Sequence, residues 1–150
     1  MKPLFTILLL SALGSAQAQT LVATDFVGFT NCANTGCFDD KIIAHGYTPV
    51  MYGTGSHIFA EPGGSNCTEN NVGYISKGIS YTTMDADRYT ELMTEFAAMG
   101  FSGMIKVGKQ GTTISRSTKQ TGIALTIITY KTTNKCGMPA IGYNITVEKK

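Results

Sequence analysis

Apolar residues recur three and four positions apart at Tyr89, Leu92, Met93, Phe96 and Ala97, the spacing that gathers side chains on one face of an α-helix. Thr83, Asp85 and Asp87 stand before them as cap and first-turn acids, and Gly100 follows as a left-handed stop. The pattern therefore predicts a helix from Asp85 to Met99 whose apolar stripe covers a sheet. A shorter version runs from Thr35 to His45, where Phe38 and Ile42 lie one turn apart and Gly46 closes the run.

Elsewhere the periodicity shortens to that of strands. β-Branched and aromatic runs separated by Gly-rich or Asn-rich turns predict strands at Val50–Tyr52, Ser56–Ala60, Val72–Thr82, Gly103–Val107, Thr112–Ser117, Ile123–Lys131 and Ile141–Val147. Pro62-Gly63-Gly64 and Asn70-Asn71 bracket a loop carrying Cys67, and Lys119-Gln120-Thr121-Gly122 reads as a hairpin turn. From Ile123 onward apolar residues occupy both alternating sets, Ile123, Leu125 and Ile127 against Ala124, Ile128 and Tyr130, as expected of a central strand. Thr113, Ser115 and Ser117 form a wholly polar set, as expected of a peripheral one.

Two stretches repeat. Ala44 to Thr48 can be laid over Ala98 to Ser102 at an offset of 54, and Val72 to Thr83 over Thr121 to Thr132 at an offset of 49. The expected architecture is α+β: an antiparallel sheet of six to eight strands with two helices packed on one face, built as a duplicated helix-plus-three-strand unit over residues 30–83 and 84–148. This layout is similar in outline to that of secreted inhibitors of the β-lactamase-inhibitory type, although no motif is shared.

The N-terminus changes the picture. Lys2, the apolar run Leu4 to Leu10 and the small residues ending in Ala16-Gln17-Ala18 make residues 1–18 a signal peptide with an A-x-A cleavage site. The run is far shorter than the roughly 20 residues that cross a bilayer. No later segment supplies a span, and no cysteine stands at the cleavage site to take a lipid. The expected product is one domain over residues 19–150, periplasmic or extracellular. Its cysteines, Cys32, Cys37, Cys67 and Cys136, are even in number, which in an oxidising compartment argues for two disulfides. Three connectivities exist on paper. Cys32 with Cys37 and Cys67 with Cys136 is preferred, because the first two are close in sequence and the other two would tie distant loops.

Charge is nearly balanced, yet unevenly spread: residues 19–95 carry three basic and nine acidic side chains, whereas residues 96–150 carry eight basic ones against Glu148. Lys106, Lys109, Arg116 and Lys119 form the densest basic stretch. Neither aromatic platforms nor a groove-reading helix accompanies them, so nucleic acid is not expected as a partner.

Candidate chemistry is sparse. His45 and His57 are not in metal-ligand spacing, and a zinc site with Cys32 and Cys37 competes poorly with disulfides; no metal or cofactor is expected. His45 precedes a helix-ending glycine, a structural place for an imidazole. The C-x4-C spacing of Cys32 and Cys37 is wrong for thioredoxin-like chemistry, G-x-S-x-G is absent, and Gly53-Thr54-Gly55 is too short for a phosphate loop. Asp39 with Asp40 and Glu91 with Glu95 are carboxylate pairs of the type glycosidases use, but they fall on helix surfaces where solvation is the ordinary role. Asn66-Cys67-Thr68 and Asn144-Ile145-Thr146 match the glycosylation pattern, which acts only in a eukaryotic pathway. The sequence thus argues against an enzyme and for a small exported, disulfide-bonded binding or inhibitor-like module that engages a protein or a glycan. The alternatives are a secreted hydrolase whose site residues are distant in sequence, and a structural component of an envelope assembly.

Overall fold

The protein's structure is a computed structural model that describes residues 19–63, 67–75, 78–102, 105–109, 112–119 and 122–150 of the 150. Residues 1–18, expected to be a signal peptide, lie outside the described residues.

Helix α2 (Thr35–Ala44) starts where Asn34 Oδ1 accepts the Cys37 N–H at 3.0 Å, a side chain replacing a helical partner that the first turn lacks. Helix α3 (Ala86–Ala98) is capped by Asp85, whose Oδ1 accepts from the backbones of Asp87 (2.9 Å) and Arg88 (3.1 Å). Both helices end alike. Gly46 (φ 85°) and Gly100 (φ 86°) take the left-handed conformation, and Tyr47 and Phe101 turn back to bond the carbonyls of Ile42 and Phe96. Between strands the expected segments become β1 (Thr48–Gly53), β2 (Ser56–Ala60), β3 (Asn71–Ile75), β4 (Gly78–Thr83), β5 (Ile105–Lys109), β6 (Thr112–Lys119), β7 (Ile123–Thr133) and β8 (Pro139–Lys149).

All eight strands form one antiparallel sheet in the order β1-β2-β3-β4-β8-β7-β6-β5, so the last strand of each half meets at the centre. The β4–β8 pairing sets Ile79 opposite Val147 and Tyr81 opposite Ile145, and β7 adds Leu125 and Ile127 to the same rows. These side chains are buried beneath the helices, where Phe26 meets Tyr81 edge-on at 5.3 Å and Tyr89 of α3 stacks on Tyr143 at 4.1 Å. Phe38 of α2 covers the first half through Phe59 and Tyr74. One apolar cluster joins all of them. A buried aromatic of this kind contributes roughly 1.5–3 kcal/mol by removal from water, so the helices are held mainly by their stripes.

Three expectations need correction. There are three helices, not two: α1 (Ala23–Phe29) buries Ala23, Phe26 and Phe29 between α3 and the sheet centre. The single strand expected at Val72–Thr82 is a hairpin, because Ile75 pairs with Gly78 and folds the run into β3 and β4. Each helix of the sequence pattern is consequently followed by four strands rather than three. The overlay at an offset of 49 therefore sets the β3–β4 hairpin against the single strand β7, and the structure gives no support to that part of the repeat.

Candidate functional site

Successive strand residues face opposite ways, so the residues between the buried ones lie on the face away from the helices. On β4 these are Ser80 and Thr82, and on β8 they are Asn144 and Thr146, with Thr82 opposite Asn144 and Ser80 opposite Thr146. Asn144 binds the row together. Its Nδ2 donates to Ser80 Oγ and to Thr82 Oγ1, each at 3.0 Å, and its Oδ1 accepts from Thr146 Oγ1 at 3.2 Å. Since Ser80 and Thr82 use their oxygens as acceptors here, their own O–H hydrogens remain to donate outward. Next to Thr82 across the β3–β4 ladder, Asn71 Oδ1 is buried without a hydrogen-bond partner. An orphaned acceptor of that kind costs about 1–3 kcal/mol.

Apolar and aromatic positions flank the row. Ile128 pairs with Asn144, Tyr130 with Gly142 and Ile58 with Gly73, and Met51 lies exposed beside Ile58 on the edge strand β1. Over β1–β4, β7 and β8 Glu148 is the one charged residue of this face, and on β6 the register sets Arg116 opposite Thr126. The result, over β1–β4, β7 and β8, is a surface of little charge with hydrogen-bonding groups at its centre, carried on an eight-stranded antiparallel ladder.

The residues singled out by type are placed elsewhere. Cys32 is bonded to Cys37 and Cys67 to Cys136, the preferred pairing, and no free cysteine stands among the described residues. Two disulfides mark an oxidising compartment. His45 is the C-cap of α2, its ring edge-on to Phe29 at 5.9 Å. His57 is part-buried on the helix side, where its Nδ1 meets Asp39 Oδ1 at 2.9 Å and Oδ2 at 2.8 Å while its ring contacts Tyr52 at 4.7 Å. Asp40 is exposed and has no part in that contact. Glu91 and Glu95 also serve separate partners, Arg88 and the backbone N–H of Ala23. The side chains of Lys106, Lys109, Arg116 and Lys119 lie outside the described residues. No group of three His, Cys, Asp or Glu able to hold a metal occurs among the described residues, and no described helix is long and apolar enough to cross a membrane.

A polar cluster that the sequence did not suggest lies at the start of α3. Asn70 donates to Glu61 Oε2 and accepts from Thr83 Oγ1, both at 2.6 Å, and the buried Arg88 donates to the Leu21 carbonyl and to Glu91. Burial and then the Glu61 carboxylate push the Tyr81 phenol up to about 12, and the same two causes raise Tyr47 further. This cluster ties the chain entering α1 to β2, β4 and α3.

The fold and bonds define a small disulfide-bonded α+β domain. Comparison with protein-family models, with curated proteins and with solved structures finds no match.

Proposed function

We propose that this chain is an exported binding module, acting in the periplasm or outside the cell, whose helix-free sheet face docks on a partner protein. The observation that carries the reading is the row Ser80, Thr82, Asn144 and Thr146, with outward hydroxyl donors and the orphaned acceptor Asn71 Oδ1 beside it. Buried polar groups find partners in nearly all folded proteins, and a docked chain supplies them. The scarcity of charge around the central β4–β8 row selects a partner patch there that is uncharged and rich in backbone carbonyls and hydroxyls. Ile58, Ile128 and Tyr130 add the apolar and aromatic area that interfaces concentrate. An inhibitor is one form such a module takes. The two helix-plus-four-strand halves, with matching helix ends at Gly46 and Gly100, are in this reading copies of one ancestral unit that came to share a core.

The test is affinity capture from the producing organism's envelope and medium with the oxidised, processed protein as bait, followed by identification and variant binding. Ser80→Lys and Thr126→Lys, on the open face, are expected to weaken binding to the identified protein at least tenfold, while Ile43→Lys, on the exposed side of α2, leaves it unchanged. Loss on Ile43→Lys alone would move the interface to the helices. Retention of a glycan rather than a protein would overturn the choice of partner.

A secreted hydrolase is the second reading, and the His57–Asp39 contact favours it, since a carboxylate on Nδ1 orients an imidazole as a general base. Among the described residues that imidazole meets Asp39 and Tyr52, and neither is a nucleophile of the usual kind. Activity against ester or peptide substrates that disappears in His57→Ala would establish it.

A further inference from the structure

The backbone nitrogen of Gln19 donates to the carbonyl of His45 at 3.0 Å. His45 is the C-cap of α2, so that carbonyl belongs to the helix end where unpaired acceptors and the negative pole of the dipole gather. The position is held by the core: Leu21 is fully buried two residues on, and Ala23 N–H bonds Glu95. Gln19 itself is exposed and lines a cavity of about 310 Å³ with Asp25, Phe29, Lys41 and His45. His45 Nδ1 is also buried with no hydrogen-bond partner.

Before cleavage the Gln19 nitrogen is a peptide amide with one hydrogen and no charge. Hydrolysis of the Ala18–Gln19 bond adds water, leaving a carboxylate on Ala18 and an ammonium with three hydrogens on Gln19. We propose that this new α-ammonium is a cationic C-terminal cap of α2, held by the His45 carbonyl, so that removal of the signal peptide completes the helix end. The inference rests on the export reading. The ionisable groups around the amine are Asp25 from α1, which attracts it, and Lys41 and His45 from α2. Seated as an ammonium, the amine is also a poor nucleophile towards its own side-chain amide. Attack there would form the N–Cδ bond, expel ammonia and leave a neutral lactam.

The sign of the pH effect follows. Stabilising the ammonium raises its pKa in the folded chain above the ordinary α-amino value of about 8, so the benefit is complete below that value and is lost as pH rises through the folded one. The experiment compares the exported, oxidised protein with the same protein selectively acetylated at its α-amine, a change that keeps an N–H on Gln19 but removes its charge. Intact mass is read first. An uncyclised chain beginning at Gln19 is expected. A different first residue overturns the cleavage site, and a mass lower by one ammonia overturns the protective seat. Thermal unfolding is read second. Acetylation is expected to lower Tm by about 1–3 °C at about pH 7 and to have no effect at about pH 10. Equal Tm values at both, or a gap that does not change with pH, would overturn the cap while leaving export intact.

Discussion

The ring of Tyr130 lies over Gly142, its direct cross-strand partner, so closely that a Cβ on Gly142 would stand 2.5 Å from Tyr130 Cζ. The clash would fall on the far end of a half-buried side chain, which can swing away. Gly78 presents the contrary case: a Cβ there would meet Val147 O at 2.4 Å, and that atom is backbone in the central β4–β8 ladder. Gly142→Ala is therefore expected to cost about 1 kcal/mol and to displace Tyr130, whereas Gly78→Ala costs about 3 kcal/mol or more. Urea unfolding measures both, and near-equal losses would contradict the reasoning.

The two disulfides should contribute unequally. Cys32–Cys37 spans five residues and Cys67–Cys136 spans 69, and the chain entropy removed from the unfolded state grows with the closed loop. Replacing Cys67 and Cys136 by Ser is expected to cost about 4 kcal/mol, against about 2 kcal/mol for Cys32 and Cys37. The long bridge ties the loop after β2 to the turn before β8, on which Lys135 also pairs with Glu69. Denaturant midpoints of the two double variants under oxidising conditions decide the order.

Much of this fold is legible because the helices carry local signals. Phe38 with Ile42 and Leu92 with Phe96 lie one turn apart, each pair before a glycine, and all four are fully buried. Helix α1 was not expected because its seven residues make only two turns, too short for a clear period, although Ala23, Phe26 and Phe29 keep a three-residue spacing. The β3–β4 turn escaped for a different reason. Core-facing positions change from the even Val72 and the partly buried Tyr74 to the odd Ile79 and Tyr81, a switch of parity that a continuous strand cannot make. The candidate site was not legible at all. Ser80, Thr82, Asn144 and Thr146 are ordinary polar residues until a pairing between the ends of the two halves makes them neighbours, and no local pattern encodes that register.

The tyrosines near Arg88 predict an alkaline limit to stability. Tyr81 ionises at about 12 when folded and at its ordinary value of about 10 when unfolded, so the unfolded chain releases its proton first. Stability is complete below about pH 10 and falls as pH rises towards about 12, with the raised pKa of Tyr47 adding to the slope. Tyr81→Phe keeps the ring against Phe26 and removes the ionisation. The variant should lose stability less steeply over that interval, as followed by circular dichroism. An unchanged slope would place the alkaline sensitivity outside this cluster.

The His57–Asp39 contact joins β2 to α2 from positions 18 apart in the chain, and both side chains are 18% exposed. Neither partner can reach water fully, so removing one leaves the other poorly solvated, and the two losses should not add. Asp39→Ala and His57→Ala are each expected to destabilise by about 1–2 kcal/mol, with the double variant little worse than either single one. The coupling in that cycle should be about 1 kcal/mol at neutral pH. His57 also packs edge-on against Tyr52, so His57→Ala loses ring packing that Asp39→Ala keeps, and the histidine variant is expected to be the weaker of the two. Simple additivity of the two losses would show that the pair contributes nothing beyond its packing, and would remove the structural reason for keeping an aspartate on the first turns of α2.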